Sequence, residues 1–284
     1  MKRAVVIFME KKRDLLLQFG CLYTSFKHIN AKDTDLVVFG TKDVLPLLPD
    51  DCVKLECEKA SHPPELLHYP RINSIHCFTT EKAKELEKHY DIILRTDVDT
   101  FLTPAWNHYY PTTYTVGKGG YATYQIVKDH LKRVAKELGL NHRSLHNLGA
   151  THYGKTKSVI DVSTLAVTIG KHLLTKEFKT DKGKWPSWYG GVINMYSNEI
   201  AVNHLIKDVS IDRRHLDFES TSSDSVMNHA HLHCWHTDHV FSKFQFTAGK
   251  YDKLETKNLN MNKIKDYCLA IALKAKRDLP EIMK

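Results

Sequence analysis

Apolar runs bounded by polar turns recur through the first hundred residues. Arg3–Met9 is a continuous, Val-rich run of the kind that fills a strand buried on both faces of a parallel sheet. Residues 14–28 place their apolar side chains at helical spacing, and residues 35–39 and 52–56 read as further strands. Ser61-His62-Pro63-Pro64 interrupts the pattern. Thr80 is placed to cap a helix over residues 81–89, and a fourth apolar run follows at 91–94. Strands alternating with helices predict an α/β protein with a mostly parallel, Rossmann-type sheet. The half up to about residue 105 reads as a nucleotide-binding half-sheet.

Beyond it the pattern is less regular. Residues 116–121, with Gly117, Gly119 and Gly120, read as a flexible loop. Residues 125–138 form an amphipathic helix closed by Gly139, and residues 158–167 mix β-branched with small side chains. Residues 185–191 read as a loop, 192–196 as a strand, 198–206 as a helix and 230–235 as a late strand. A basic amphipathic helix over 262–277 is expected to cover the sheet. Without a linker or repeat, residues 1–284 read as one domain with two lobes, 1–105 and 106–250, closed by a C-terminal helix over 251–284.

Charge narrows the partners. The chain has 41 Lys and Arg against 33 Asp and Glu, a net charge of +8, with 42% hydrophobic and 26% charged residues. This excess suits an anionic ligand, but the basic residues are dispersed and no basic run marks a nucleic-acid surface. The apolar stretch after Met-Lys-Arg is six residues, too short for a signal-peptide core, and nothing approaches a membrane span. Six scattered cysteines without a Cys-x-x-Cys pair read as reduced and packed, so a cytoplasmic site is expected.

Candidate chemistry centres on Asp97-Val98-Asp99, directly after the fourth run. In extended chain these carboxylates share a face, where they repel unless a hard divalent cation lies between them. In an α/β protein, the C-terminal ends of strands are also where ligands bind. Asp33-Thr34-Asp35 precedes its strand instead and reads as solvated loop carboxylate. No Gly-x-Gly-x-x-Gly follows the first strand, so a dinucleotide fingerprint is absent. Five of the chain's 18 histidines fall within residues 229–239. One or two of them, His233 first and His236 second, are placed to complete a metal shell, and Lys243 downstream could neutralise a phosphate. Trp188 and Tyr189 offer flat faces to sugar rings, and Gly191 permits close backbone approach. Glu199 heads a helix with Asn203 one turn on, a carboxylate placed to face a reacting carbon.

The series strand, Arg95-Thr-Asp-Val-Asp-Thr-Phe-Leu-Thr-Pro104, late His-rich strand and downstream Lys resembles the GT-A class of nucleotide-sugar glycosyltransferases. Among these it is similar to members from algae, fungi and large DNA viruses. The resemblance implies Mn²⁺ (or Mg²⁺) on the diphosphate of a donor, UDP by default, and transfer of its sugar to a hydroxyl of a glycan or glycoprotein. Carried over, Asp97 faces ribose or metal, Asp99 binds the metal, His233 or His236 adds a ligand and Lys243 meets the diphosphate. The first strand (Phe8) and the stretch from Arg71 to Ser74 meet the nucleotide, Arg95 supports the leaving group and Glu199 lies under the anomeric carbon, with a lean to retention. Two rival readings are a haloacid-dehalogenase-like phosphohydrolase with Asp97 as nucleophile, and a non-catalytic carbohydrate- or nucleic-acid-binding module.

Overall fold

The structure, a computed structural model, describes residues 1–234 and 241–283. In chain order the strands are β1 Arg3–Met9, β2 Thr34–Gly40, β3 Val53–Glu56, β4 Ile92–Arg95, β5 Thr100–Leu102, β6 Tyr114–Lys118, β7 Leu148–Lys155, β8 Val209–Ile211, β9 Phe218–Glu219 and β10 His231–His233. The helices are α1 Arg13–Ile29, α2 Asn73–His76, α3 Glu81–Glu85, α4 Gln125–Glu137, α5 Thr156–His172, α6 Ile193–Leu205, α7 Lys243–Thr247, α8 Ile264–Asp278 and α9 Pro280–Met283. Among the described residues the strands form a seven-stranded sheet, β3-β2-β1-β4-β7-β6-β8, and a three-stranded sheet, β5-β10-β9. The large sheet is mixed: β2 and β3 run parallel, as do β6 and β8, while β7 is antiparallel to both β4 and β6. The α/β fold with helices flanking a largely parallel sheet is therefore as expected.

By internal contacts the chain gathers into two compact units. The first comprises Met1–Arg3, Cys57–Arg95 and Pro111–Ile211; the second comprises Ala4–Glu56, Thr96–Tyr110 and Asp212–Lys284. In the second unit α8 packs on α1 and on one face of the small sheet. Leu17 and Cys21 of α1 meet Tyr267, Cys268 and Ile271 of α8, with Phe101 of β5 and Leu232 of β10 in the same core. The Tyr267 hydroxyl donates to the Leu102 carbonyl at 2.7 Å. Alternation along β10 then sends Leu232 into that core and His231 and His233 to the other face.

Two segments differ from expectation, and a third, 158–167, to which the pattern assigned no element, is helical. Residues 158–167 lie inside α5, whose buried positions Val159, Val162, Ser163, Ala166, Val167 and Gly170 recur at helical spacing. β-Branching is a weak prior that this burial overrides. Residues 192–196 are not a strand; α6 begins at Ile193 and is buried on most of its positions, so no amphipathic period marks it. Residues 116–121 are not a loop throughout: β6 runs through Gly117, with its register on β7 shifting between Val116 and Lys118. The unforeseen strands are β5, β7, β8 and β9. On β7, Nδ1 of His152 lies 2.8 Å from the Tyr114 hydroxyl, and the Tyr153 hydroxyl accepts from Arg3. No helix among the described residues is long and apolar enough to cross a membrane.

Candidate functional site

Asp97 and Asp99 lie in the bend between β4 and β5, partly exposed, with Val98 buried between them. The Thr100 hydroxyl donates to the Asp97 carbonyl at 2.9 Å and tightens the bend. β5 pairs antiparallel with β10, setting His233 opposite Thr100, and the Cys234 amide donates to the Asp99 carbonyl at 3.0 Å. This pairing brings His233 to the acidic bend: its Nε2 is 3.3 Å from Asp99 Oδ1. One ligand atom from each of Asp97, Asp99 and His233 can be chosen so that all three lie within 4.8 Å of one another.

Supporting groups complete the cluster. β9 runs parallel to β10, and the residue before it, Asp217, places Oδ1 3.2 Å from Nδ1 of His233. Asp217 has φ 54, a left-handed conformation that Asp tolerates better than most side chains. Lys243, at the start of α7 behind the Ser242 cap, pairs with Asp99 Oδ2. Burial works against ionisation of Asp99, but the charges and hydrogen bonds of His233 and Lys243 outweigh it and hold the carboxyl far below its usual range. Burial likewise works against a charged His233. The Asp99 charge and the hydrogen bonds to Asp217 and Asp99 overcome it and raise the imidazole well above its ordinary value. An imidazolium and an ammonium thus balance the carboxylates.

His231, on the same face of β10, does something else. Its Nδ1 accepts the Asp217 amide at 3.2 Å and its Nε2 lies 2.9 Å from the Thr96 hydroxyl. Burial depresses its pKa to about 4, so it is a neutral structural group. His229 stacks on Phe218 with ring centroids 3.6 Å apart. His236, the second-ranked ligand, lies outside the described residues. Phe8 is the one partly exposed residue of β1.

The remaining predicted residues belong to the first unit. Arg71 donates to the Gly191 carbonyl at 2.9 Å, and Asn194 donates to the Arg71 carbonyl at 2.6 Å and to the Ser74 hydroxyl at 3.3 Å. A Cβ at Gly191 would lie 2.1 Å from the Tyr189 ring, so a side chain there would have to displace that ring. Trp188 stacks on Tyr196 at 4.4 Å and on His130 at 4.9 Å and is tilted against Phe178, so its ring is engaged inside the fold. Arg95 is buried and donates to the Ala150 carbonyl at 2.5 Å.

Glu199 is fully buried in α6. Its Oε2 accepts from the Tyr121 hydroxyl and the Asn147 amide, both at 2.7 Å; its Oε1 faces Nδ1 of His146 at 2.8 Å and Nε2 of His142 at 3.5 Å. Burial would raise its pKa, but the neighbouring His142 and His146 rings and the Tyr121 hydroxyl prevail and hold it below the ordinary carboxylate value. A carboxylate so surrounded orients its neighbours rather than facing a sugar carbon. Asn203 clamps the loop that carries both histidines. Its Oδ1 accepts the amides of Arg143 (2.9 Å) and Leu145 (3.2 Å), and its Nδ2 donates to the carbonyls of Leu145 and Glu199 (both 2.9 Å).

Sequence reasoning missed Asp217, Tyr121, His142 and His146. The available signal was the pair His142 and His146, four residues apart and outside the conspicuous cluster. A family model described as a domain of unknown function (DUF7164) matches residues 1–279. No curated protein matches the chain.

Proposed function

The chain belongs to this family, whose description carries no activity, and for it we propose metal-dependent transfer of a sugar from a nucleoside diphosphate to a hydroxyl. The supporting observation is the convergence of Asp97, Asp99 and His233 within 4.8 Å, with Lys243 on the same carboxylate. The donor set fits the cation. Two carboxylates suit a hard divalent ion, and one imidazole inclines the set to Mn²⁺ over Mg²⁺. Asp217 on Nδ1 of His233 leaves Nε2 toward the acidic bend, as metal-binding histidines require, and the proton on Nε2 is the one a cation would replace. When bound, the ion would supply charge neutralisation to the donor's diphosphate.

The chain's own residues do the rest. Lys243 is a further fixed positive charge at the same carboxylate, and its ammonium stabilises charge that develops on a leaving phosphate. Thr100 and the β5–β10 pairing hold the bend, so the carboxylates need not reorganise as charge moves. Phe8, on β1 of the same unit, offers a partly exposed ring to a nucleotide. UDP is the first donor to try, and a glycan or glycoprotein the first acceptor.

Thermal melting with nucleoside diphosphates, with and without Mn²⁺, tests the reading, because a ligand that binds only the native state raises the midpoint. We expect a rise for the wild type only when both are present, and none for Asp97→Ala or Asp99→Ala. No rise with any diphosphate plus metal removes the proposal.

A further inference from the structure

His142, His146 and Glu199 all belong to the first compact unit. One ligand atom from each can be chosen so that all three lie within 4.8 Å of one another. Nδ1 of His146 is 2.8 Å from Glu199 Oε1, and Nε2 of His142 is 3.5 Å from the same oxygen. The two rings have their centroids 5.0 Å apart and are tilted by 31°. Tetrahedral zinc, with bonds of about 2.0–2.1 Å, holds neighbouring ligand atoms about 3.3 Å apart, between the two distances to Oε1.

The surroundings mark a ligand site rather than a packing contact. Nε2 of His142 is buried without a hydrogen-bond partner and is aimed at Glu199, in a side chain only 2% exposed. A buried polar atom normally has a hydrogen-bond partner or a ligand. Glu199 is fixed as a one-oxygen donor: Oε2 accepts from the Tyr121 hydroxyl and the Asn147 amide, which leaves Oε1 to the histidines. Outer hydrogen bonds orient metal-binding carboxylates in this way. The loop that carries both histidines is held as well. Asn203 accepts the Arg143 and Leu145 amides, and the Arg143 guanidinium donates to the carbonyls of Asn203 at 3.0 Å and Lys207 at 2.7 Å. His146 is 12% exposed, which gives an ion a path of entry, and a three-residue set keeps a fourth position for water.

We infer that His142, His146 and Glu199 form a further metal site, for Zn²⁺, which pins the loop of residues 141–147 to α6. The site is independent of the transfer reading. Two imidazoles and one carboxylate make a softer donor set than the acidic bend, whose two carboxylates suit a harder ion. The protons balance. His142 accepts the Ser144 amide on Nδ1 at 3.1 Å, so its neutral ring carries a proton on Nε2; His146 carries its own on Nδ1, toward the carboxylate. Zn²⁺ takes both of these places. The His142 proton moves to Nδ1, and the amide of Ser144, an exposed residue, turns to water. The His146 proton moves to Nε2, which has no partner among the described residues. Each ring stays neutral and Glu199 stays a carboxylate.

Zinc titration of the full chain tests the site. In Asp99→Ala, which weakens the acidic bend, calorimetry should still find one tight equivalent of Zn²⁺, with the thermal midpoint raised. Added to that background, Tyr121→Phe should weaken binding about 10–100-fold by removing an outer partner, and His146→Ala should weaken it further still. In the wild type, long-range ¹⁵N NMR should show both rings exchanging their protonated nitrogen when Zn²⁺ is added, His142 from Nε2 to Nδ1 and His146 from Nδ1 to Nε2. That readout needs no variant, so it stands if a substitution in this buried cluster fails to fold. Rings of His142 and His146 that do not respond to saturating Zn²⁺ overturn the proposal. So does the absence of tight binding in Asp99→Ala, or tight binding that survives His146→Ala.

Discussion

At the scale of single residues, the acidic bend was legible because its chemistry is local. Two carboxylates on alternate positions stay within a few ångströms of one another, and Asp97 and Asp99 lie on either side of a buried Val98 in the bend. Their support was not legible. Asp217 reaches His233 only because β9 runs beside β10, and neighbouring strands are chosen by tertiary packing. Asp217→Asn removes the carboxylate from Nδ1 of His233, while Asn tolerates the left-handed φ equally well. Mn²⁺ affinity measured by titration calorimetry should weaken about 10–100-fold with the fold intact. Unchanged affinity would exclude His233 as a ligand oriented by Asp217.

At the scale of elements, α1 and α8 were readable, while α5 and the start of α6 were not. Residues 14–28 and 262–277 fall on α1 and α8, each with one apolar face. α6 was missed at its start because almost all of it is buried, which erases the period. Asn203 on α6 shows what such a helix contributes. Asn203→Ala leaves the Arg143 and Leu145 amides without their acceptor and should destabilise the chain by about 1–3 kcal/mol in chemical denaturation. Proteolytic nicking within residues 141–147 should rise with it. A second tie joins α4 to the π-helical turn after α5: Arg133 donates to Glu177 at 3.0 Å and, with a second bond, holds its carboxyl below the ordinary 4.5. A carboxyl depressed on folding stabilises fully above that ordinary value, and the stabilisation fades as pH falls through the lowered one. Thermal midpoints of Glu177→Gln should therefore decline less steeply than wild type below about pH 4.5.

At the scale of the whole molecule, the interior accounts for all six cysteines. Every one is free and buried. Burial pushes Cys57 up to about 11 and Cys52 up to about 12, and raises Cys21, Cys77 and Cys268 well above the usual thiol range. Thiolate is the reactive form, so iodoacetamide at neutral pH should label none of the six in the native chain and all six in denaturant. Rapid native labelling at any position would show that its surroundings open.

The sequence by itself determined the α/β class, the acidic bend and the long amphipathic helices, because each follows from spacing within a few residues. Only the tertiary structure decided which histidine meets Asp99, that Lys243 shares that carboxylate, and that Glu199 turns inward to hold His146. Those outcomes depend on strand register and on loops closing over helices. They join residues more than fifty and up to about 144 positions apart, beyond the reach of any local pattern.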